Sequence, residues 1–321
     1  MVKTHNTVAG VLFGMGAGMM WGLVFLAPEV IRDFSPLHLT AGRYLAYGLL
    51  ALLLIVPRWR VIRHHLTRRE WAALFRLAFL GNTLYYILLA SAVQLAGIAL
   101  TSLVIGFLPV AVTIIGSREH NAVPLRALIP SLLLCAAGAV CIGWYALRDF
   151  SAAPDTVIGL LCAIGALASW TTFAVNNSRW LARVDPLSAQ DWNLLTGLVT
   201  GAQALGLIPL VLLFAPTASH DLQAWGKLTA VSLTVALLAS IVGNKFWNQM
   251  SRLLPLTLVG QMILFETVFA LLYGFLWEQR WPTALEGTAF ALVVLSVLSC
   301  LSGHQRHHRR QEMQGVPGLN T

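Results

Sequence analysis

Charge is what this chain lacks. Only 11% of its 321 residues are Asp, Glu, Lys or Arg, whereas an ordinary soluble domain carries roughly 25%. A core can be this apolar, but a chain of this size must also clothe a water-facing surface, and there are too few charges to do so. A soluble globular protein is excluded, and with 57% hydrophobic residues the solvent is lipid. Cysteine is scarce as well. Cys135, Cys141, Cys162 and Cys300 all sit in apolar runs, without CxxC or metal-ligand spacing, and read as small packing residues. Catalytic signatures are missing: neither HExxH nor GxSxG occurs, no histidine falls in mid-run, and Glu266 is the one acid deep inside an apolar stretch. An intramembrane enzyme would need paired carboxylates, a Ser/His arrangement or a metal motif there, so the expectation is a non-enzyme that uses neither cofactor nor metal.

The charge that is present is mostly positive, +8 overall. In a soluble protein that would point to nucleic acid, but no element interleaves base-stacking aromatics with Lys and Arg, and the basic residues lie between the apolar runs. A bilayer span needs roughly 20 mainly apolar residues. That ruler places ten spans, near residues 7–27, 36–57, 71–92, 97–116, 126–147, 156–178, 188–214, 226–249, 256–276 and 284–302. The first ends in Pro28-Glu29 without a small-x-small cleavage site and reads as a retained span rather than a signal peptide. Between the third and fourth, a tight turn near Gln94 and Gly97 is inferred from length alone.

Cytoplasmic loops retain Lys and Arg. One set of alternate loops holds Lys3; Arg58, Arg60, Arg63, Arg68 and Arg69; Arg118 and Arg126; Arg179 and Arg183; Arg252; and Arg306, Arg309 and Arg310. The other holds Arg32, Arg148, Lys227 and Arg280. Both termini are therefore expected in the cytoplasm of a bacterial-type cell, with the chain threaded through the inner membrane. The tail from residue 303 on is expected to be disordered.

The chain repeats itself. GVLFGMGAGMMW (Gly10 to Trp21) lies over GLLCAIGALASW (Gly159 to Trp170), Pro36-Leu37 meets Pro186-Leu187, and Gly81-Asn82 with Tyr85 meets Gly243-Asn244 with Trp247. Residues 1–150 and 151–303 thus form two five-span units, followed by a tail at 304–321. An odd number of spans per unit inverts the second in the membrane, the architecture of secondary transporters with a site between the halves. The expected fold is an all-α integral membrane protein, ten transmembrane helices in two inverted repeats around a central cavity.

These residues resemble the drug/metabolite transporter superfamily, in its ten-span EamA-type branch. The resemblance is carried by Met19 to Gly22 (MMWG), Ala41 to Leu54 (AGRYLAYGLLALLL), Leu108 to Glu119 (LPVAVTIIGSRE) and Phe265 to Gln279 (FETVFALLYGFLWEQ). Within the branch, the aromatic inner spans and LGNTLYYILLASAVQL (Leu80 to Leu95) are similar to exporters of aromatic amino acids. The resemblance implies an exporter of small amphiphilic metabolites working by alternating access; efflux of cationic drugs or nucleobases is the alternative. One departure stands out. Small four-span members of the superfamily couple export to protons through an acid in the first span, and Val8 to Ala27 contains none, so facilitated diffusion and proton antiport both stay open.

Ionisable groups within spans are costly and by default functional. Lys245 and Glu266 fall at similar depths and could pair; Arg43 reads as a structural charge held by Glu29 or Asp33. Asn82 and Asn244 are intramembrane amides that need a partner helix or a substrate. Around them lie Tyr85, Tyr86, Trp247, Asn248 and Gln261, and Trp21 and Trp170 offer π-faces for a ring or an ammonium. Trp59, Trp71, Trp225 and Trp281, beside loops, read as an interfacial belt. Gly10, Gly14, Gly18 and Gly22 form a smooth helix face, for packing or for sliding. Gly14, Gly16 and Gly18 superficially mimic a nucleotide-binding loop, but no strand precedes them. His64, His65, His304, His307 and His308 read as basic charge at the inner leaflet. The expected partners are a small-molecule substrate and the lipid bilayer, and a monomer is the expected unit.

Overall fold

A computed structural model describes residues 2–31, 33–118, 122–148, 153–184, 187–214, 220–279 and 281–313. Thirteen main helices carry the architecture: α1 (Val2–Gly22), α2 (Pro36–Ile55), α3 (Arg68–Ala78), α4 (Leu84–Ile105), α5 (Leu108–Gly116), α6 (Leu125–Arg148), α7 (Pro154–Leu181), α8 (Ala189–Phe214), α9 (Leu222–Val235), α10 (Asn244–Leu253), α11 (Leu256–Met262), α12 (Leu264–Glu278) and α13 (Ala284–Met313). No strand occurs among the described residues. Polar side chains set the helix starts. Thr67 and Glu70 make a reciprocal capping box at α3, the Asp221 carboxylate accepts from the Ala224 amide at 2.7 Å to open α9, and Asp191 accepts from the Ser188 amide at 3.1 Å before α8.

Seven helices among the described residues are long and apolar enough to cross a membrane, and three shorter apolar helices, Thr7–Gly22, Leu103–Gly116 and Leu125–Cys141, fall where the first, fourth and fifth spans were expected. Their outward faces are greasy: Leu212, Leu213 and Leu133 are among the most exposed side chains, while Arg43, Asn177, Asn193 and Gln261 are buried. The usual distribution is inverted because the outer solvent is hydrocarbon. Trp59, Trp71, Trp225 and Trp281 are exposed, in keeping with the belt. Close helix contacts use glycine: a Cβ on Gly48 of α2 would stand 2.6 Å from the Gly201 Cα of α8. The glycine face of α1 is likewise a packing face, since a Cβ at Gly10 would meet Leu254, between α10 and α11, at 2.6 Å, and Cβ atoms at Gly14, Gly18 and Gly22 would meet α10, α11 and α12 at 2.5–3.0 Å.

Three expectations are corrected. The helical backbone continues past Gln94 and Gly97 to Ile105, and the break comes at Gly106-Phe107, ahead of Pro109. The last helix does not stop at 302 but runs on to Met313, leaving only 314–321 of the expected tail outside the described residues. His304, far from facing the leaflet, is buried: its Nε2 meets the Thr257 hydroxyl at 2.7 Å and its Nδ1 lies 2.9 Å from the Cys300 carbonyl. A carbonyl can only accept, so the ring proton is on Nδ1 and Nε2 accepts from Thr257.

Two segments break helical regularity at matched places. Phe79–Thr83, between α3 and α4, and Ala236–Gly243, between α9 and α10, are π-helical. A π turn bonds i to i+5 and leaves carbonyls to be satisfied from elsewhere. In the membrane that partner must be protein. Asn82 lies within the first such segment and Asn244 directly follows the second.

Candidate functional site

Side chains from other helices bond to polar groups of the two π segments. Ser169 of α7 donates to the Leu80 carbonyl at 2.8 Å and Tyr44 of α2 to the Asn82 carbonyl at 3.3 Å. In the second segment, Trp21 Nε1 donates to the Ala239 carbonyl at 3.1 Å and Asn193 Nδ2 to the Ile241 carbonyl at 3.0 Å. The Arg43 guanidinium lies 3.4 Å from the Ser240 hydroxyl. Each bond crosses from one helix to another, so together they fix where α1, α2, α7 and α8 meet the irregular turns.

Three tryptophans converge there. Trp21 (α1), Trp170 (α7) and Trp247 (α10) are mutually in contact, with ring centroids 6.0 Å apart for Trp21–Trp170, 5.0 Å for Trp21–Trp247 and 5.3 Å for Trp170–Trp247. Edge-to-face and tilted aromatic pairs of this kind contribute about 0.5–1.5 kcal/mol each beyond their buried area. Phe173 and Tyr85 extend the cluster from Trp170, at 5.8 and 6.4 Å. Trp21 and Trp170 are thus interior residues and not part of the interfacial belt. The Trp21 indole is held by a second bond to Asn244 Oδ1 at 3.1 Å, whereas the buried Trp247 Nε1 has no hydrogen-bond partner among the described residues.

Beside the aromatic cluster lie two opposite charges. Arg43 was expected about two turns inside the outer end of its span, held by Glu29 or Asp33. Instead it is buried, its guanidinium over the Tyr44 and Tyr86 rings at 5.3 and 5.1 Å, and Asp33 is exposed; the Glu29 side chain is outside the described residues. Glu266 stands in the first turn of α12, immediately after the break at Ile263. Tyr85 is in ring contact with Trp170.

The remaining candidates divide. Lys245 is exposed and makes no ion pair with Glu266, so the expected Lys245–Glu266 pair is not formed. Asn82 stays close to the site, but its amide donates to Thr200 of α8 at 2.9 Å. Asn248 and Gln261 are spent on the scaffold. The Asn248 oxygen accepts from Asn177 at 3.0 Å, and Asn177 in turn accepts from Trp192 Nε1 at 2.9 Å. Gln261 donates to Thr113 at 3.3 Å and accepts from Ser296 at 3.0 Å. An intramembrane amide whose donor and acceptor are both engaged within the bundle has little left for a ligand. Tyr44, Asn193 and Ser240 were missed from the sequence. The repeat offers a signal for one of them: the offset aligning Pro36-Leu37 with Pro186-Leu187 sets Asn193 opposite Arg43, and both reach the second π segment.

Residues 8–144 match the EamA-like transporter family. The chain is 34% identical over 304 residues to the inner membrane protein YtfF of Escherichia coli (strain K12), covering 91% of this chain and 94% of that one. It is 24% identical over 321 residues to the uncharacterized transporter sll0355 of Synechocystis sp. (strain ATCC 27184 / PCC 6803 / Kazusa), covering 92% of each. A solved crystal structure matches with a TM-score of 0.73 at 21% identity, covering 93% of this chain and 98% of that one. At that identity the likeness shows the fold alone.

Proposed function

Because this chain belongs to the EamA-like transporter family, we propose that it is an inner-membrane carrier that exports small zwitterions, amino acids with aromatic side chains foremost. The observation that supports this reading is the Trp21–Trp170–Trp247 cluster with Tyr85 against it, beside the buried Arg43 guanidinium over the Tyr44 and Tyr86 rings. An amino acid presents a carboxylate, an ammonium and a side chain. Arg43 offers a planar fork for the first, Glu266 a counter-charge for the second, and Trp21, Trp170 and Trp247 a wall for the third. The segment Leu80 to Leu95, which contributes Tyr85 and Tyr86, is also the one similar to the aromatic amino acid exporter YddG.

In this reading the ten spans form two inverted five-helix units, residues 1–150 and 151–303, with both termini in the cytoplasm, and the carrier works by alternating access as a monomer. The matched π segments, with Asn82 in one and Asn244 after the other, support a site between two related halves. Efflux of organic cations is the second reading, favoured by Glu266 alone; the buried Arg43 weighs against it, since a cation in that space would face a fixed positive charge. Uptake of labelled phenylalanine and tryptophan into proteoliposomes tests the choice. The amino-acid reading expects saturable uptake above that of empty vesicles, inhibited by unlabelled tryptophan and not by a quaternary ammonium dye, and uptake no faster than into empty vesicles overturns it.

A further inference from the structure

Five of the basic residues used to assign the membrane orientation crowd into the short connection between α2 and α3 and the first turn of α3, and there they do something that a flexible loop would not. Val56 to His65 is helical throughout, in three successive short turns. It is tied down twice. Ile62 is fully buried among Leu74, Leu77 and Leu181, and Arg58 makes a bidentate pair with Asp191 of α8, both contacts at 2.8 Å. That pair uses Arg58 and leaves Arg60, Arg63, Arg68 and Arg69 exposed, together with His64 and His65. Arg60 and Arg63, three apart in a helical stretch, share a face. Arg68 and Arg69 occupy the first turn of α3, where the helix dipole disfavours cations, so they are not there to stabilise the helix. Arg69 rests over the Trp180 ring of α7 at 5.6 Å, and Trp59 and Trp71 stand beside the cluster with centroids 6.5 Å apart, each part-exposed.

A rigid set of guanidinium forks beside two indoles at the membrane surface is chemically specific. Guanidinium binds phosphodiester oxygens bidentately, and indole prefers the headgroup level, where its ring is apolar-facing and its N–H is wet. We propose that this surface binds the headgroup of an anionic phospholipid of the cytoplasmic leaflet, with Arg60, Arg63, Arg68 and Arg69 on the phosphate and Trp59 and Trp71 against the glycerol and upper acyl chain. The position has a consequence. Arg58–Asp191 and Arg69–Trp180 both join the first half of the chain to the second, so a lipid bound here braces the seam between them.

The test uses the full chain in a neutral detergent, with melting followed as phosphatidylglycerol, phosphatidylcholine or sodium phosphate is added. Phosphatidylglycerol is expected to raise Tm by about 5 °C, phosphatidylcholine and sodium phosphate by far less, and the R60Q/R63Q/R68Q/R69Q variant to lose the difference. An equal rise with phosphatidylcholine overturns the proposal, and so does an equal rise with phosphate, which would mark a site for the free anion. Should that variant not fold, wild-type protein in vesicles decides: brominated phosphatidylglycerol is expected to quench tryptophan emission more than brominated phosphatidylcholine at equal mole fraction, with the excess lost in W59F/W71F. Equal quenching by the two lipids overturns the assignment.

Discussion

Two polar regions lie buried in this bundle, and they are built on opposite principles. Between α5, α6, α11 and α13, Thr113, Thr257, Gln261, Ser296 and His304 form a network in which each side chain has its partner within the protein, down to the Ser296 hydroxyl, whose one proton is shared between the Ser131 carbonyl at 2.6 Å and Gln261 Oε1 at 3.0 Å. Around Tyr85 the accounts are left open. Trp247 Nε1 has no partner among the described residues, and Arg43 leans on two tyrosine rings and a 3.4 Å contact to Ser240. Unsatisfied polar groups are costly in hydrocarbon and persist where something else fills them.

The comparison is broken most directly at Arg43. Arg43→Gln is expected to lower phenylalanine transport efficiency about 100-fold, the order expected for removing one partner of a desolvated ionic contact, with Arg43→Lys restoring only part because an ammonium cannot reproduce the stacked planar fork. Transport in proteoliposomes checks this, and unchanged efficiency in Arg43→Gln would end the charge-pair reading. Trp170→Ala is expected to raise the KM for tryptophan about tenfold, with Trp170→Phe recovering most of it, and with less effect on a small aliphatic amino acid.

On the closed side, Gln261→Ala should leave KM unchanged and lower Tm by about 3–6 °C, since it deletes two interhelical hydrogen bonds of about 0.6–1 kcal/mol each. Should it raise KM more than Trp170→Ala does, the division between scaffold and site fails. The smallest effect belongs to Lys245→Gln, where the side chain is exposed: transport within about twofold of wild type and no shift in Tm.

Much of the fold was legible because lipid imposes few choices. Long apolar runs must be helices, and glycine faces must pack. Within the site, Trp21, Trp170 and Trp247 were legible because bulky aromatics at matched places in the repeat stand out against Leu, Ala and Val. Lys245 was not, for a physical reason. It is the second residue after the π segment Ala236–Gly243, and a π turn puts an additional residue into the helix, so the face of everything beyond it is no longer given by counting in steps of 3.6. Arg43 was misplaced because depth along a span says nothing about which helices a long side chain reaches. For Asn248 and Gln261, residue type revealed the need for a partner but not that Asn177, Thr113 and Ser296 were already waiting.

The π turns carry one more implication, for the way such a chain tolerates change. Each amounts to a residue of slack wound into a transmembrane helix, its loose carbonyls buttoned to neighbours by Ser169, Tyr44, Trp21 and Asn193. Slack of that kind can be taken up by a single-residue deletion that restores regular helix and leaves the face of the segment beyond unchanged. For α10 that would keep Trp247 in the tryptophan cluster, whereas the same deletion in a regular turn would rotate it by about 100°.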